Sequence, residues 1–260
     1  MLKKILKKII NQVKFRSHLL KSFDYKNFNE IINFFGSKLS INPKKIKYPI
    51  NKKIIVLAPH PDDEVFGPGG TLFLSKKCFI KIIYLTSGRN ENEQIIRENE
   101  ANTLCNRYKF QRVFLRHRQK FTKIDSKVRN KVRHIIADFK ADIIFTPFFL
   151  DDHQDHQNIN QLFLDLKSNR NIKVWCYQIY SQFKGNYFVN ITNCQKQKRR
   201  MINHYKSEMK IRHWESFVMS LNVIFSRYMS RSPEVRYAEM FFIFDLGFYK
   251  KLCNKFFKCV

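Results

Sequence analysis

One apolar run and the polar loop it feeds constrain this chain more than any other feature. Residues 54–58, Ile-Ile-Val-Leu-Ala, read as a buried strand that stops at Pro59. The next residues deliver His60, Asp62, Asp63 and Glu64, each able to bind a metal or to move a proton. Gly67, Gly69 and Gly70 then lead into the helix-like Thr71-Leu72-Phe73-Leu74. Strand, reactive loop and helix, in that order, are where open α/β sheets place their sites. A second cluster, Asp151-Asp152-His153-Gln154-Asp155-His156, also follows an apolar run. Such groups are hard to explain as packing, and together they read as one metal site built from two strand ends.

The rest of the chain supplies a sheet to hold them. Strands are predicted at Ile54–Ala58, Ile80–Leu85, Arg112–Leu115, Asp142–Thr146, Lys173–Ile179 and Tyr237–Phe244. Helices are predicted at Gly70–Lys77, Glu91–Arg107, Ser126–Phe139, Gln157–Leu166 and Lys196–Met209. The alternation implies an α/β fold, a Rossmann-like, mostly parallel sheet with helices on both faces. Residues 1–50 stand apart as a basic helical appendage ending in a linker-like stretch at 42–49, and residues 51–260 form the main domain. Within the appendage, Leu2, Ile5, Leu6, Ile9, Ile10 and Val13 fall on one helical face and lysines on the other. Such a helix fits an anionic membrane surface, or it docks on its own domain. The tail alternates aromatics with lysines (Phe248, Tyr249, Phe256, Phe257), which suits simple packing or a second interfacial patch.

Charge narrows the partners. Lys and Arg outnumber Asp and Glu 49 to 21, a net +28, which favours a polyanionic partner or surface over a neutral one. The basic residues form no recognisable nucleic-acid module, so no specific nucleic acid is expected, and a non-catalytic nucleic-acid or lipid binder on the same scaffold is the weaker alternative. No apolar run is long enough to span a membrane, and lysines interrupt the N-terminal apolar residues, against a signal peptide. The six cysteines form no CxxC pair and read as reduced thiols. The expected location is cytoplasmic, peripheral at the inner face of the membrane.

The chemistry follows from residue type. A catalytic zinc takes three protein ligands and keeps a position for water, whose pKa it lowers to ~7. His60 and Asp63, three apart across a turn, can reach one ion, and His156 can close the set. That leaves Asp62, Glu64, His153 and Asp155 for proton transfer and support. Two nitrogens and a carboxylate suit Fe2+ as well as Zn2+. Gly67-Pro68-Gly69-Gly70 is no phosphate cradle, because neither nucleotide-binding spacing is present.

Pro59-His60-Pro61-Asp62-Asp63-Glu64, followed by Gly67-x-Gly69-Gly70-Thr71, resembles the signature of the LmbE-like, or PIG-L, zinc-dependent N-deacetylases. The resemblance continues through Thr86-x-Gly88, Arg97-x-x-Glu100 and His153-x-Asp155-His156, with weaker echoes at Tyr205-x-Ser207 and Tyr237-Ala238-Glu239. It implies that His60, Asp63 and His156 hold zinc and that Asp62 is the general base. It also implies that His153 polarises the acetyl carbonyl or protonates the amine, with Asp155 orienting it. Arg97 and Glu64 become candidates for substrate contact, although a salt bridge from Arg97 to Glu93 or Glu100 explains that arginine equally. The implied activity is hydrolysis of the acetamide of an N-acetylglucosamine-type sugar in a glycolipid, nucleotide-linked or surface-glycan precursor. The alternative is a small soluble conjugate of the thiol-precursor type. Two departures stand out. Gln154 replaces a common proline, and Leu115-Arg116-His117-Arg118-Gln119-Lys120 is basic where many members are acidic, which favours an anionic acceptor.

Overall fold

The computed structural model describes residues 42–117, 124–164, 166–231, 234 and 236–258. Its strands are β1 (Lys44–Lys45), β2 (Lys53–Ala58), β3 (Phe79–Tyr84), β4 (Gln111–Phe114), β5 (Ile143–Pro147), β6 (Lys173–Tyr177), β7 (Tyr187–Asn190) and β8 (Ala238–Asp245). Its helices are α1 (Asp63–Phe66), α2 (Gly69–Leu74), α3 (Glu91–Tyr108), α4 (Ser126–Phe139), α5 (Gln154–Asn158), α6 (Gln195–Ile202), α7 (Lys206–Met209), α8 (Trp214–Ser226) and α9 (Leu246–Lys258). One sheet runs β1-β7-β8-β6-β5-β2-β3-β4. The pairs from β4 across to β6 are parallel, whereas β8 is antiparallel to both of its neighbours.

The most apolar strand occupies the most protected place. β2 lies between β3 and β5, and Ile54 through Ala58 are fully buried. Ile54, Val56 and Ala58 enter the core on one face of the sheet, while Ile55 and Leu57 enter the core on the other. Burial on both faces is why the sequence shows a continuous apolar run rather than alternation. From β2 the chain steps outward to β3 and β4, then returns past β2 to β5 on its other side. That reversal is a topological switch point, and the crevice it opens lies beyond the carboxyl ends of β2 and β5. Both polar clusters follow those two ends.

Several elements depart from the sequence reading. The helix predicted at Gln157–Leu166 begins earlier, as α5, because the His153 side chain accepts from the Asp155 N–H and caps it; it then tightens into a 3-10 turn at Ile159–Phe163. The helix predicted at Lys196–Met209 is split into α6 and α7 by Tyr205, which is fully buried. The stretch read as linker contributes β1, which pairs with β7. The aromatic tail forms α9, with Phe248, Phe256 and Phe257 packed against the core, so packing rather than an interfacial patch accounts for it. The helix expected at residues 2–13 lies outside the described residues. Among those described, the five cysteines are free thiols, and no helix is long and apolar enough to cross a membrane.

Gly67 joins α1 to α2 under the ring of Tyr177, where an added Cβ would stand 2.2 Å from Cδ2. Tyr177 cannot swing aside, being fully buried and bonded through its hydroxyl to the Leu57 carbonyl at 2.9 Å. Gly67→Ala is therefore expected to destabilise the protein by roughly 1–3 kcal/mol, as overpacking does. Urea unfolding would read this as a lower midpoint; an unchanged midpoint would contradict the packing described.

Candidate active site

Pro59 ends β2, and the chain turns sharply so that α1 begins within the loop. Asp62 takes φ 132°, a conformation rarely adopted by L residues, and its carbonyl accepts from Val65 and Phe66 N–H as the helix starts. Asp63 Oδ2 accepts from the His60 backbone N–H at 2.8 Å and lies 3.1 Å from His60 Nδ1. Its other oxygen lies 3.2 Å from Nε2 of His156, which comes from the loop beyond β5. The His60 and His156 ring centroids are 5.7 Å apart, so the two loops do converge.

A carboxylate stands behind each of these imidazoles. Asp155 Oδ2 is 3.0 Å from His60 Nε2, and Asp151 Oδ1 is 3.2 Å from His156 Nδ1. Asp151 is locked in turn by Ile179 N–H, Tyr180 N–H and the Ser181 hydroxyl, which tie the β5 loop to the β6 loop. His156 is fully buried, yet neither ring nitrogen makes a well-formed hydrogen bond. The nitrogens of His60, His153 and His156 also lie within 4.8 Å of one another. Buried imidazole nitrogens facing a shared carboxylate, each backed by a second carboxylate, are the donor set a divalent cation takes.

Charges in the site are strongly coupled. Burial alone would raise the Asp63 carboxyl, but His156 and His60 hold it far below the ordinary range. Burial opposes charge on His156, but Asp63 and Asp151 outweigh it and raise the imidazole to about 10. His153 moves the other way, lowered to about 4 by burial and by the two neighbouring imidazoles. Asp62 is raised well above its ordinary value by burial, then by Asp63 and Glu208, with Arg97 opposing. A raised proton affinity is a property that suits a carboxylate to general-base work.

Two expectations for individual residues change, and for Arg97 the alternative pairing with Glu93 is the one found. Asp155 does not align His153 through its carboxylate: that group holds His60, and it meets His153 through its backbone N–H, which donates to Nδ1 at 3.2 Å. Glu64 is fully buried, with one oxygen accepting from the Tyr205 hydroxyl and the other from Asp62 N–H, so it has no surface to offer a substrate. Arg97 is also buried, paired with Glu93 at 3.2 Å and closely with Glu208 from α7, while its Nε has no partner. Glu100 bonds Ser207 instead. Within the basic rim, Arg116 forms a two-pronged bond with Glu98, and residues 118–120 lie outside the described residues.

The reading from sequence also missed parts of the site. Asp151 was visible as the first acid after the β5 run, though nothing in its spacing gave it a role. Tyr180 stacks on His153 at 5.4 Å and 23°, backed by Trp214, and no local pattern announces either. Glu208 approaches only because α3 and α7 pack together.

The chain is similar in sequence and fold to several known proteins. A family model described as PIG-L, GlcNAc-PI de-N-acetylase, matches residues 55–167. Diacetylchitobiose deacetylase from Thermococcus kodakarensis is 25% identical over 248 residues, covering 83% of this chain and 91% of that protein. The N,N'-diacetylchitobiose deacetylase structure from Pyrococcus horikoshii aligns with a TM-score of 0.65 and 24% identity, over 76% of this chain and 85% of that one. The 4-carboxy-2-hydroxymuconate hydratase of Pseudomonas putida aligns nearly as well, with a TM-score of 0.60 and 14% identity over 74% of this chain and 95% of its own. The fold alone therefore does not dictate the reaction, and the side chains at the crevice must. Residues 55–167, which match the PIG-L, GlcNAc-PI de-N-acetylase family model, hold every candidate ligand described above, and the similar proteins named for their activity include deacetylases, hydrolases that act on amides.

Proposed function

We propose that the protein is a zinc-dependent N-deacetylase that hydrolyses the acetamide of an N-acetylglucosamine-type sugar and releases acetate. Its substrate would be a glycolipid, a nucleotide-linked sugar or another surface-glycan precursor. The observation that carries this reading is the meeting of His60, Asp63 and His156 from two distant loops beside Asp62, whose carboxylate makes no hydrogen bond among the described residues.

The ligand set we assign is His60, Asp63 and His156, which suits iron as well as zinc. His153 is set aside as a ligand for a chemical reason. A backbone N–H can only donate, so Nδ1 of His153 accepts from Asp155 and the proton of the neutral ring sits on Nε2. A zinc ion in this set polarises a carbonyl and lowers the pKa of water to ~7. Asp62 accepts the proton of the water that attacks the acetyl carbon, and later returns it to the departing amine. His153 donates its Nε2–H to the carbonyl oxygen as charge builds there, and Tyr180 keeps the ring in plane by stacking.

Metal analysis of the purified protein, coupled to acetate release across N-acetyl sugar nucleotides, glycolipids and small conjugates, tests the proposal. Stoichiometric divalent metal with acetate from a lipid- or nucleotide-linked sugar is expected. A metal-loaded protein that releases no acetate from any of them would refute it. Acetate from a small soluble conjugate alone would favour the second reading, which the diacetylchitobiose named for two similar proteins supports.

We further place the protein at the cytoplasmic face of a membrane, with residues 1–50 as a basic appendage to a catalytic domain at 51–260. The amphipathic spacing at 2–13 and the net charge of +28 support this. Deleting residues 1–40 should abolish flotation with anionic liposomes; unchanged flotation would exclude that role.

A further inference from the structure

The Asp62 carboxylate has to be aimed, yet no hydrogen bond holds it among the described residues. Its direction is set by its backbone, and that backbone is in an unfavourable state at φ 132°. Residues in such regions cost on the order of 1–3 kcal/mol and persist only where the surroundings over-determine them. Here the start of α1 fixes the Asp62 carbonyl, while its N–H donates to Glu64 Oε2 at 3.0 Å. Glu64 is pinned in turn by the Tyr205 hydroxyl, which donates to its other oxygen. Glu64, Tyr84 and Tyr205 are all fully buried. Tyr205 is held at the joint between α6 and α7 because Glu100 of α3 binds both the N–H and the hydroxyl of Ser207.

We infer that Glu64 and Tyr205 are positioning residues for Asp62: a buried brace that keeps the general base in its strained backbone conformation and so aims its carboxylate. This rests on the deacetylase reading for its kinetic consequence, though not for its structural one. The brace reaches across the chain, so the turn carrying the base is stiffened by an element that follows the whole parallel sheet. It also gives Glu100 of the Arg97-x-x-Glu100 motif and the weaker echo at Tyr205-x-Ser207 a physical purpose: together they hold the brace in register.

The test compares Tyr205→Phe, Glu64→Gln and Glu64→Ala in the full chain. Misplacing a reacting group by ~1 Å costs about 100-fold. Tyr205→Phe is accordingly expected to lower kcat by roughly 10- to 100-fold, with KM and bound metal unchanged. Glu64→Gln keeps an acceptor for Asp62 N–H and should retain more kcat than Glu64→Ala. A crystal structure of Glu64→Ala should show Asp62 relaxed to negative φ. The inference is overturned if kcat survives in both Tyr205→Phe and Glu64→Ala, or if kcat falls only in proportion to lost metal. It is equally overturned if Asp62 keeps its positive φ without Glu64. Should the wild type show no deacetylase activity, the φ readout still decides whether the brace exists.

Discussion

Asp62→Asn is expected to lower kcat for acetate release by about 1,000-fold, within the 10²- to 10⁴-fold range for loss of a general base. The amide fills the space of the carboxylate but cannot take a proton from water. Folding should not suffer, because the charge removed lies among Asp63 and Glu208, both of which oppose ionisation of Asp62. Metal content should also be retained, since Asp62 is outside the assigned ligand set. Three measurements on one sample therefore separate the possibilities: single-turnover acetate release, metal stoichiometry and thermal unfolding. Full metal and an unchanged melting temperature with kcat collapsed is the expected pattern. A variant within about threefold of wild type would move the base elsewhere, with Glu208 another carboxylate whose proton affinity burial raises.

The site was more legible in sequence than its supports, for a physical reason. His60, Asp62 and Asp63 sit directly after an apolar strand, and His153, Asp155 and His156 sit a short loop after another, so local patterning finds them. The contacts that hold them arrive from elsewhere: Tyr205 through packing of α3 on α7, the bonds of the β6 loop to Asp151, Glu239 from β8. These are tertiary and leave no periodic trace. The parallel half of the sheet was readable because its strands are apolar on both faces. The later part was not: β7 is short, α8 looks merely aromatic, and a single buried tyrosine breaks what reads as one basic helix. Glu64 was misread for the same reason. A carboxylate beside two functional acids looks like a third, until burial and its two partners show that it serves the first.

Lys198→Met is expected to destabilise the protein by about 3–5 kcal/mol, the cost of breaking a buried ion pair from one side. Lys198 is fully buried on α6, and burial lowers its pKa against the pull of Glu239. Its ammonium donates to the carbonyls of Phe66 and Gly67, at the end of α1, and to Glu239 Oε1 at 2.6 Å. Glu239 accepts from Gly70 and Thr71 N–H, at the start of α2. The pair thus fills the joint between two short helices whose unsatisfied ends would otherwise be buried without partners. Methionine matches the stem of lysine but leaves two carbonyls and a carboxylate stranded. At ~2–4 °C per kcal/mol for a chain of this size, the melting temperature should fall by roughly 10 °C. Adding Glu239→Gln removes the stranded charge, so the double variant should lose less than the sum of the singles. A Lys198→Met protein melting within about 2 °C of wild type would mean that the joint stands without its ion pair. Because α1 carries Asp63, the single variant should also bind divalent metal more weakly, a loss that calorimetric titration below the melting transition would read independently of turnover.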